Sequence, residues 1–514
     1  MQKGKAQRNG ALCLLPVALC LLPFAPFGDH RRVFIETPFT WCYFFSISRR
    51  FRAWTAYQLV HHSKKMLFFT QNQQFMQRFL SLTLLLAGLL SPAIGQNIQF
   101  VEYDLPNGLK VLLHEDHSTP IVAVSVMYHV GSKNENAERT GFAHFFEHLL
   151  FEGSDNIKRG EFDDYINNAG GYNNANTWYD RTYYYEVLPS NQLALGLWLE
   201  SERMLHAKVE KVGIETQRQV VKEERRQRID NQPYGRLLEE TMKRTFRTHP
   251  YKSSVIGSMA HLDAAVEKDY VDFYHAFYRP DNAILSIAGD IDIAQTKQLI
   301  DAYFKDVPRG QGVVFRPKIT EAPLNGEVRD TVYDNVQLPA VIFSYHIPAQ
   351  GTKDFYAVKM LGMLLSQGES SRMNKQIVDE QQKAVAAGSF ALELEDPGAN
   401  ICYAIANVGV NPADLEQSMN AVINDVQTNL VTEAELTKLQ NQVENDFVSA
   451  NDKVAGIAES LANYEMYYGD ANLINTELDR YRQVTREDLK RVANLYFGKT
   501  SRVVLYWLPK PKTP

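Results

Sequence analysis

His144 and His148, four residues apart with Glu147 between them, constrain the fold of this chain more than any other feature. On an α-helix, residues i and i+4 lie above one another on one face, so a helix lets both imidazoles reach the same ion. Glu147 then emerges beside them, where a carboxylate can accept a proton from a water that the ion holds. The sequence therefore predicts a helix over residues 141–151 that carries a metal site.

The order of these residues, H-x-x-E-H, is the reverse of the commoner H-E-x-x-H and excludes a thermolysin-like arrangement. The competing interpretation is an amphipathic helix whose histidines merely lie at the edge of a core. The surroundings favour the metal site, because Gly131-Ser132 precedes the motif and Phe151-Glu152-Gly153-Ser154 follows it. A second block, Gly170-Gly171-Tyr172-Asn173-Asn174-Ala175-Asn176-Thr177, leads to Asp180-Arg181-Thr182.

Together these residues resemble the insulinase/pitrilysin family of zinc peptidases, in the bacterial branch similar to mitochondrial processing peptidase. The resemblance covers about residues 97–510 and is more specific in the first half than in the second. It implies an α+β fold of two tandem related domains, each a mainly antiparallel sheet covered by helices. It also implies a zinc metalloendopeptidase that binds one Zn²⁺ per chain.

The first 95 residues differ in composition from the rest, with 11 Lys+Arg, two acids and three of the four cysteines. From Met76, a basic residue, an apolar run and small residues before Gln96 are typical of a secretory signal peptide. We expect cleavage near Gly95, an exported and periplasmic or secreted protein, and an over-extended reading frame before the signal peptide. No stable membrane span should remain afterwards.

The remaining 419 residues carry a formal charge of −15 and one cysteine, Cys402. An acidic surface repels nucleic acid, so we expect no nucleic-acid partner and a peptide substrate instead. This length suits two domains. We place them at residues 96–308 and 326–514, with a linker rich in proline and glycine at 309–325.

The resemblance implies a third zinc ligand about 76 residues after His148, which corresponds to Glu224, with Glu223 as the alternative. Both lie in a predicted helix over residues 209–229, with Val212, Val220 and Val221 facing inward. Seven residues before Glu224, where the family often has an acid, stands Gln217. Gln217 could still hydrogen-bond a histidine ring behind the metal.

Asn174 and Ala175 follow two glycines and precede an aromatic run, which predicts a turn that enters an edge strand. An extended peptide can add to such a strand, and the family holds substrate there. In this interpretation Glu147 is the general base on zinc-bound water, and Asn174 and Ala175 bind substrate. The alternatives are an inactive relative that acts as an assembly or binding subunit, and a structural zinc protein.

The second half departs from the family pattern. Active members usually carry an arginine and a tyrosine there that bind the substrate backbone, but aligning on Arg372 puts Val378 and Val385 at these positions. Neither valine side chain can donate a hydrogen bond. We therefore expect a heterodimer with a homologous subunit that lacks the zinc motif and supplies the arginine and tyrosine. A local substitute such as Arg372, in a monomer or homodimer, is the alternative.

Overall fold

The computed structural model describes residues 97–511, and the predicted signal peptide lies outside them. Their fold is α+β with two sheets, as predicted. The strands are β1 Val101–Asp104, β2 Lys110–Glu115, β3 Ile121–Tyr128, β4 Tyr172–Thr177, β5 Thr182–Pro189, β6 Ala283–Gly289, β7 Val328–Asp334, β8 Ala340–His346, β9 Ala384–Leu392, β10 Ala399–Ala406 and β11 Val503–Pro509.

Helices surround both sheets. They are α1 Phe142–Leu149, α2 Glu161–Asn168, α3 Leu193–Leu205, α4 Lys211–Arg225, α5 Leu237–Thr245, α6 Met259–Ala264, α7 Glu267–Phe277, α8 Ile293–Phe304, α9 Lys353–Ser366, α10 Pro412–Thr428, α11 Glu433–Ala450, α12 Val454–Tyr468, α13 Leu473–Arg482 and α14 Arg486–Tyr496. Between α8 and β7, residues 305–327 form neither helix nor strand. No helix within residues 97–511 is long and apolar enough to cross a membrane.

The two sheets share one plan. The first has the order β1-β2-β6-β3-β5-β4 and the second the order β7-β11-β8-β10-β9. In each sheet one neighbouring pair is parallel, β2 with β6 and β7 with β11, and the other pairs are antiparallel. The prediction of two related, mainly antiparallel sheets is therefore confirmed. The strand order also places β4 at an edge of the first sheet, as expected.

Strands β3 and β6 are apolar along almost their whole length because helices cover both faces of the first sheet. One face packs against helices of its own half, including α1. The opposite face packs against α12, which comes from the second half of the chain. Helix α5 of the first half packs in turn against β8 and β11 of the second sheet. The two halves thus cover each other's sheets.

The helix predicted over residues 209–229 is α4 followed by a π-helical turn, Arg226–Asp230. Val221 is buried as predicted, but the inward positions of Val212 and Val220 were wrong, because these side chains are 66% and 43% exposed. The buried face of α4 is made instead by Gly213, Ile214, Arg218, Val221 and Arg225. These residues are spaced so that they form one continuous stripe along the helix. Two arginines lie in this stripe, although a hydrophobicity pattern predicts valines on the buried face.

Candidate metal centre and active site

Helix α1 presents its polar residues on one side because its other side is aromatic and buried. Phe142 stacks on Tyr270 with ring centroids 4.7 Å apart, and Phe146 stacks on Phe273 at 5.4 Å. At the start of the helix, the Glu135 carboxylate accepts hydrogen bonds of 2.8 Å from the N–H groups of Gly141 and Ala143. These N–H groups have no partner inside the helix, and their hydrogen bonds act against the burial that raises the pKa of Glu135 to about 8.

The structure brings His144 and His148 together with Glu224 of α4. Oε2 of Glu224 lies 3.6 Å from Nε2 of His144 and 3.1 Å from Nε2 of His148. Glu223, the alternative ligand, points away from the two histidines. Its side chain is 52% exposed and accepts hydrogen bonds of 3.0 Å from Arg226 and Gln227. Of the two glutamates, only Glu224 can share an ion with both imidazoles.

These three groups fit a catalytic zinc ion. Their donor atoms lie within 4.8 Å of one another, and two imidazoles with one carboxylate are a known ligand set of such sites. Donors about 2.0–2.1 Å from one tetrahedral zinc lie roughly 3.3 Å apart. The distances of 3.1 and 3.6 Å between Oε2 of Glu224 and the two imidazoles are close to this value. Oε2 of Glu224 is also buried and faces both imidazoles.

The local electrostatics keep two of the three donor groups, His144 and Glu224, in forms that bind a cation. Burial, followed by the charge of His148, lowers the pKa of His144 to about 3, so this imidazole is neutral at neutral pH. Burial alone would raise the pKa of Glu224, but the hydrogen bond with His148 and the nearby positive charges hold it at about 2. For His148, burial opposes protonation, but the hydrogen bond with Glu224 and the charges of Glu147 and Glu224 together outweigh it and raise the pKa.

Glu147 lies next to the ligands and at the end of β4. Burial raises the pKa of this carboxyl, while the charge of His148 and the side chain of Thr177 act against the rise. Thr177 is the last residue of β4, so the strand ends beside Glu147. Thr177 was not singled out from the sequence, although it ends the second block of residues that resembles the family. Spacing along the chain cannot show that Thr177 lies near Glu147.

Asn174 and Ala175 lie in the middle of β4, the edge strand of the first sheet. They pair with Tyr185 and Tyr184 of β5, and Oδ1 of Asn174 accepts a 2.9 Å hydrogen bond from the N–H of Ala175. Ala175 is buried on the side of the sheet that packs against α1. The two predicted substrate residues therefore stand on the strand that leads to Glu147.

Gln217 has a different partner from the one predicted. Its Nε2 donates a 2.5 Å hydrogen bond to Oε1 of Glu152, which is also paired with Arg159. The Oε1 of Gln217 and the Nδ1 of His144 are both buried without a hydrogen-bond partner among the described residues. The amide is thus held by the acid that follows the metal helix.

Val378, Val385 and Arg372, the second-half positions discussed in the sequence, make contacts within their own half or lie at its surface. Val378 is half-buried against the core of the second half, and Val385 is 46% exposed on the edge strand β9. Arg372 is held by Asp425 at 2.5 Å and by Glu435 at 3.0 Å. Two acids of its own half already engage this guanidinium, which disfavours Arg372 as a local substitute for the missing arginine.

Arg228 is a further charged group at the metal centre that sequence reasoning missed. Its Nη1 lies 2.7 Å from Oε1 of Glu224, whereas Oε2 is the oxygen nearest to each histidine. The spacing of four residues on a helix was a usable signal, because Arg228 lies on the same face as Glu224 whereas Arg225 and Arg226 do not.

Comparisons with known proteins agree with this geometry. Residues 110–259 match the family described as Insulinase (Peptidase family M16), and residues 267–443 match the Peptidase M16 inactive domain. The sequence is similar to the zinc protease PqqE of Helicobacter pylori, with 31% identity over 408 residues that cover 79% of this chain and 92% of the relative.

More distant similarity points the same way. The crystal structure of a protease from Helicobacter pylori has a TM-score of 0.77 and 30% identity, covering 80% of this chain and 100% of that chain. A protein of Schizosaccharomyces pombe named "Probable mitochondrial-processing peptidase subunit beta" is 23% identical over 412 residues, which cover 76% of this chain and 87% of the relative.

Proposed function

This chain belongs to the insulinase (M16) family of zinc proteases, and on that basis we propose that it is a metalloendopeptidase that hydrolyses peptides or unfolded segments. The meeting of His144, His148 and Glu224 beside Glu147 supports this proposal most directly. A structural zinc site would usually be closed by four ligands rich in cysteine. Cys402, the one free cysteine among the described residues, is buried in the second sheet and contacts Ser389.

In the proposed mechanism, His144, His148 and Glu224 hold the metal. When bound, the zinc ion supplies Lewis-acid chemistry that acidifies a water and polarises the scissile carbonyl. Glu147 accepts the proton of the attacking water on its carboxylate and then delivers it to the leaving amine. The burial that raises the pKa of Glu147 strengthens it as a proton acceptor, and Thr177 lies beside it.

The substrate in this proposal is an extended peptide beside β4. Edge strands bind peptides by adding a strand, with main-chain hydrogen bonds that do not depend on side-chain identity. A peptide beside Asn174 and Ala175 would continue past Thr177 to Glu147. We further propose that Gln217 acts from behind the metal ligands, since its Oε1 and the Nδ1 of His144 are both buried without a hydrogen-bond partner among the described residues.

We also propose that the chain acts after export, as two domains at residues 96–308 and 326–514 joined by residues 309–325. The basic, apolar and small-residue regions that begin at Met76 support export. The alternative function is an inactive assembly subunit. The observation that favours it is the presence of Val378 and Val385 where active members usually carry arginine and tyrosine.

Substitution of Glu147→Gln tests the proposal, because it removes the base and keeps every metal ligand. We expect peptide hydrolysis to fall by about 10²–10⁴-fold with unchanged zinc content. A quenched-fluorescence peptide assay and metal analysis on the same preparation provide the measurement. Glu223→Gln, which changes a neighbouring exposed carboxylate, is the control and should retain activity. Near-wild-type turnover by the Glu147 variant would assign the proton transfer to another group.

A further inference from the structure

Three arginines follow Glu224 within four residues, and each has a different partner. Arg225 is buried, with hydrogen bonds of 3.0 Å to Glu239 and 2.7 Å to the carbonyl of Gly257. Arg226 lies on the solvent side and pairs with Glu223 at 3.0 Å. Arg228 pairs with Glu224 at 2.7 Å. Only the last of these arginines touches a residue of the metal centre.

The two carboxylate oxygens of Glu224 have different neighbours. Oε1 accepts from Arg228, whereas Oε2 faces Nε2 of both histidines. A carboxylate without such a partner can rotate and exchange its oxygens. A guanidinium that holds one oxygen selects which oxygen the histidines meet, because charge-assisted hydrogen bonds are short and directional.

The local backbone supports this arrangement. Helix α4 ends in the π-helical turn Arg226–Asp230, which closes with a 2.9 Å hydrogen bond from Asn231 N–H to Arg226 C=O. Such turns are rare and occur frequently at functional sites. Because Arg225 is anchored inward ahead of the turn, the start of this segment is held in place while Arg228 reaches Glu224.

We propose that Arg228 is a positioning residue that holds Oε1 of Glu224 and so presents Oε2 to the metal together with the two histidines. The inference rests on the zinc site of the proposed function and adds to it an outer partner for the carboxylate ligand. Groups that hydrogen-bond to metal ligands fix their orientation, and their loss typically weakens metal binding by about 10–100-fold.

The sign of the effect separates positioning from simple electrostatics. A guanidinium is a cation, and its charge by itself opposes the binding of Zn²⁺. If Arg228 acted only through its charge, its removal would strengthen zinc binding. If it positions Glu224, its removal weakens zinc binding despite the lost repulsion.

The test measures zinc affinity of the full-length mature chain by competition with a chromogenic chelator, for wild type, Arg228→Gln and Arg228→Lys. Arg226→Gln is a matched control, since the side chains of Arg226 and Arg228 are 46% and 43% exposed and both pair with a glutamate. We expect about 10–100-fold weaker zinc binding for Arg228→Gln, an intermediate value for Arg228→Lys, and no change for Arg226→Gln. The visible absorption of the Co²⁺-substituted protein should change in Arg228→Gln alone, because it reports ligand geometry.

Equal or tighter zinc binding by Arg228→Gln, with wild type binding zinc, would overturn the positioning role and leave the proposed function intact. Absence of zinc binding by wild type would instead count against the proposed function. Thermal unfolding of the metal-free proteins shows whether each variant folds. If Arg228→Gln is unfolded, the Arg228→Lys variant tests the proposal instead. Zinc affinity and Co²⁺ absorption equal to those of wild type in Arg228→Lys would then overturn the proposal.

Discussion

Glu223 and Glu224 are chemically identical neighbours, and only their direction on helix α4 distinguishes them. One is 52% exposed beside Arg226, and the other is 15% exposed beside the two histidines. Counting from His148 already favoured Glu224 over its neighbour. The structure supplies a physical reason, since the buried stripe of the helix brings one glutamate to α1 and turns the other to solvent.

This difference leads to a paired prediction for zinc content. Glu224→Gln should lose most of the bound zinc, because a neutral amide is a much weaker ligand for a divalent cation than a carboxylate. Glu223→Gln should retain about one zinc per chain. Metal analysis after dialysis against a weak chelator measures both. Loss of zinc from the Glu223 variant alone would show that the ligand assignment is wrong by one residue.

At the scale of the element, the register of helix α4 decides which side chains reach the metal centre. Val221 is fully buried, while its neighbour Val220 is 43% exposed. Val221→Ala should therefore lower the free energy of unfolding by about 1–3 kcal/mol, because it leaves a cavity. Val220→Ala should change it by no more than about 0.5 kcal/mol. Urea unfolding of both variants provides the measurement, and equal effects would contradict this register.

The same helix shows what sequence patterns can and cannot predict. The metal helix and the edge strand β4 follow from motif spacing and local composition, which act over a few residues, whereas the mainly antiparallel sheets were expected from the family resemblance. The inward face of α4 does not follow from such patterns, because Arg218 and Arg225 occupy it. Arg218 donates to the carbonyl of Ala265, and Arg225 to that of Gly257. A buried arginine becomes acceptable only when distant segments supply partners, and these partners are invisible in a local window.

At the scale of the whole molecule, the two halves interlock, which no local pattern predicted. Helix α12 covers the first sheet, and a buried ionic cluster joins the halves near β4. Lys133 pairs with Asp180 at 2.8 Å and also with Glu395 of the second half. His129 lies 3.0 Å from the same Glu395 carboxylate. The turn before the metal helix is thus tied directly to the second half.

This cluster predicts a pH-dependent contribution to stability. Burial alone would raise the pKa of Glu395, but the hydrogen bond and charge of His129 and the charge of Lys133 hold it at about 2. A lowered pKa stabilises the fold above the unfolded value of about 4.3 and ceases to do so as the pH falls towards 2. Glu395→Gln should cost about 1.5–3 kcal/mol at pH 7.

Urea unfolding at pH 7 and near pH 3 checks this expectation. The difference between wild type and Glu395→Gln should shrink at the lower pH, because near pH 3 this carboxyl takes up a proton in the unfolded chain while it stays mostly ionised in the folded protein. Glu380→Gln, at an exposed position, is the control and should show little effect at either pH. A difference that stays constant between the two pH values would contradict the ionic origin.

The last prediction concerns the assembly, and it follows from the unequal chemistry of the two halves. The first half carries a metal centre, whereas Val378 and Val385 in the second half cannot donate a side-chain hydrogen bond to a peptide carbonyl or to a developing oxyanion. Arg372 is already engaged by two acids. A homologous subunit that lacks H-x-x-E-H and carries the arginine and tyrosine would supply the missing donors.

We therefore expect the purified chain to bind zinc but to hydrolyse a quenched peptide slowly. Addition of such a subunit, sought first in the neighbouring reading frames, should raise the rate by roughly 10²-fold or more, the usual effect of one oxyanion donor. A version of the subunit without its arginine and tyrosine is the control and should bind without restoring the rate. Full turnover by this chain alone would remove the need for a partner, because the donors would then have to come from a second copy or from the chain itself.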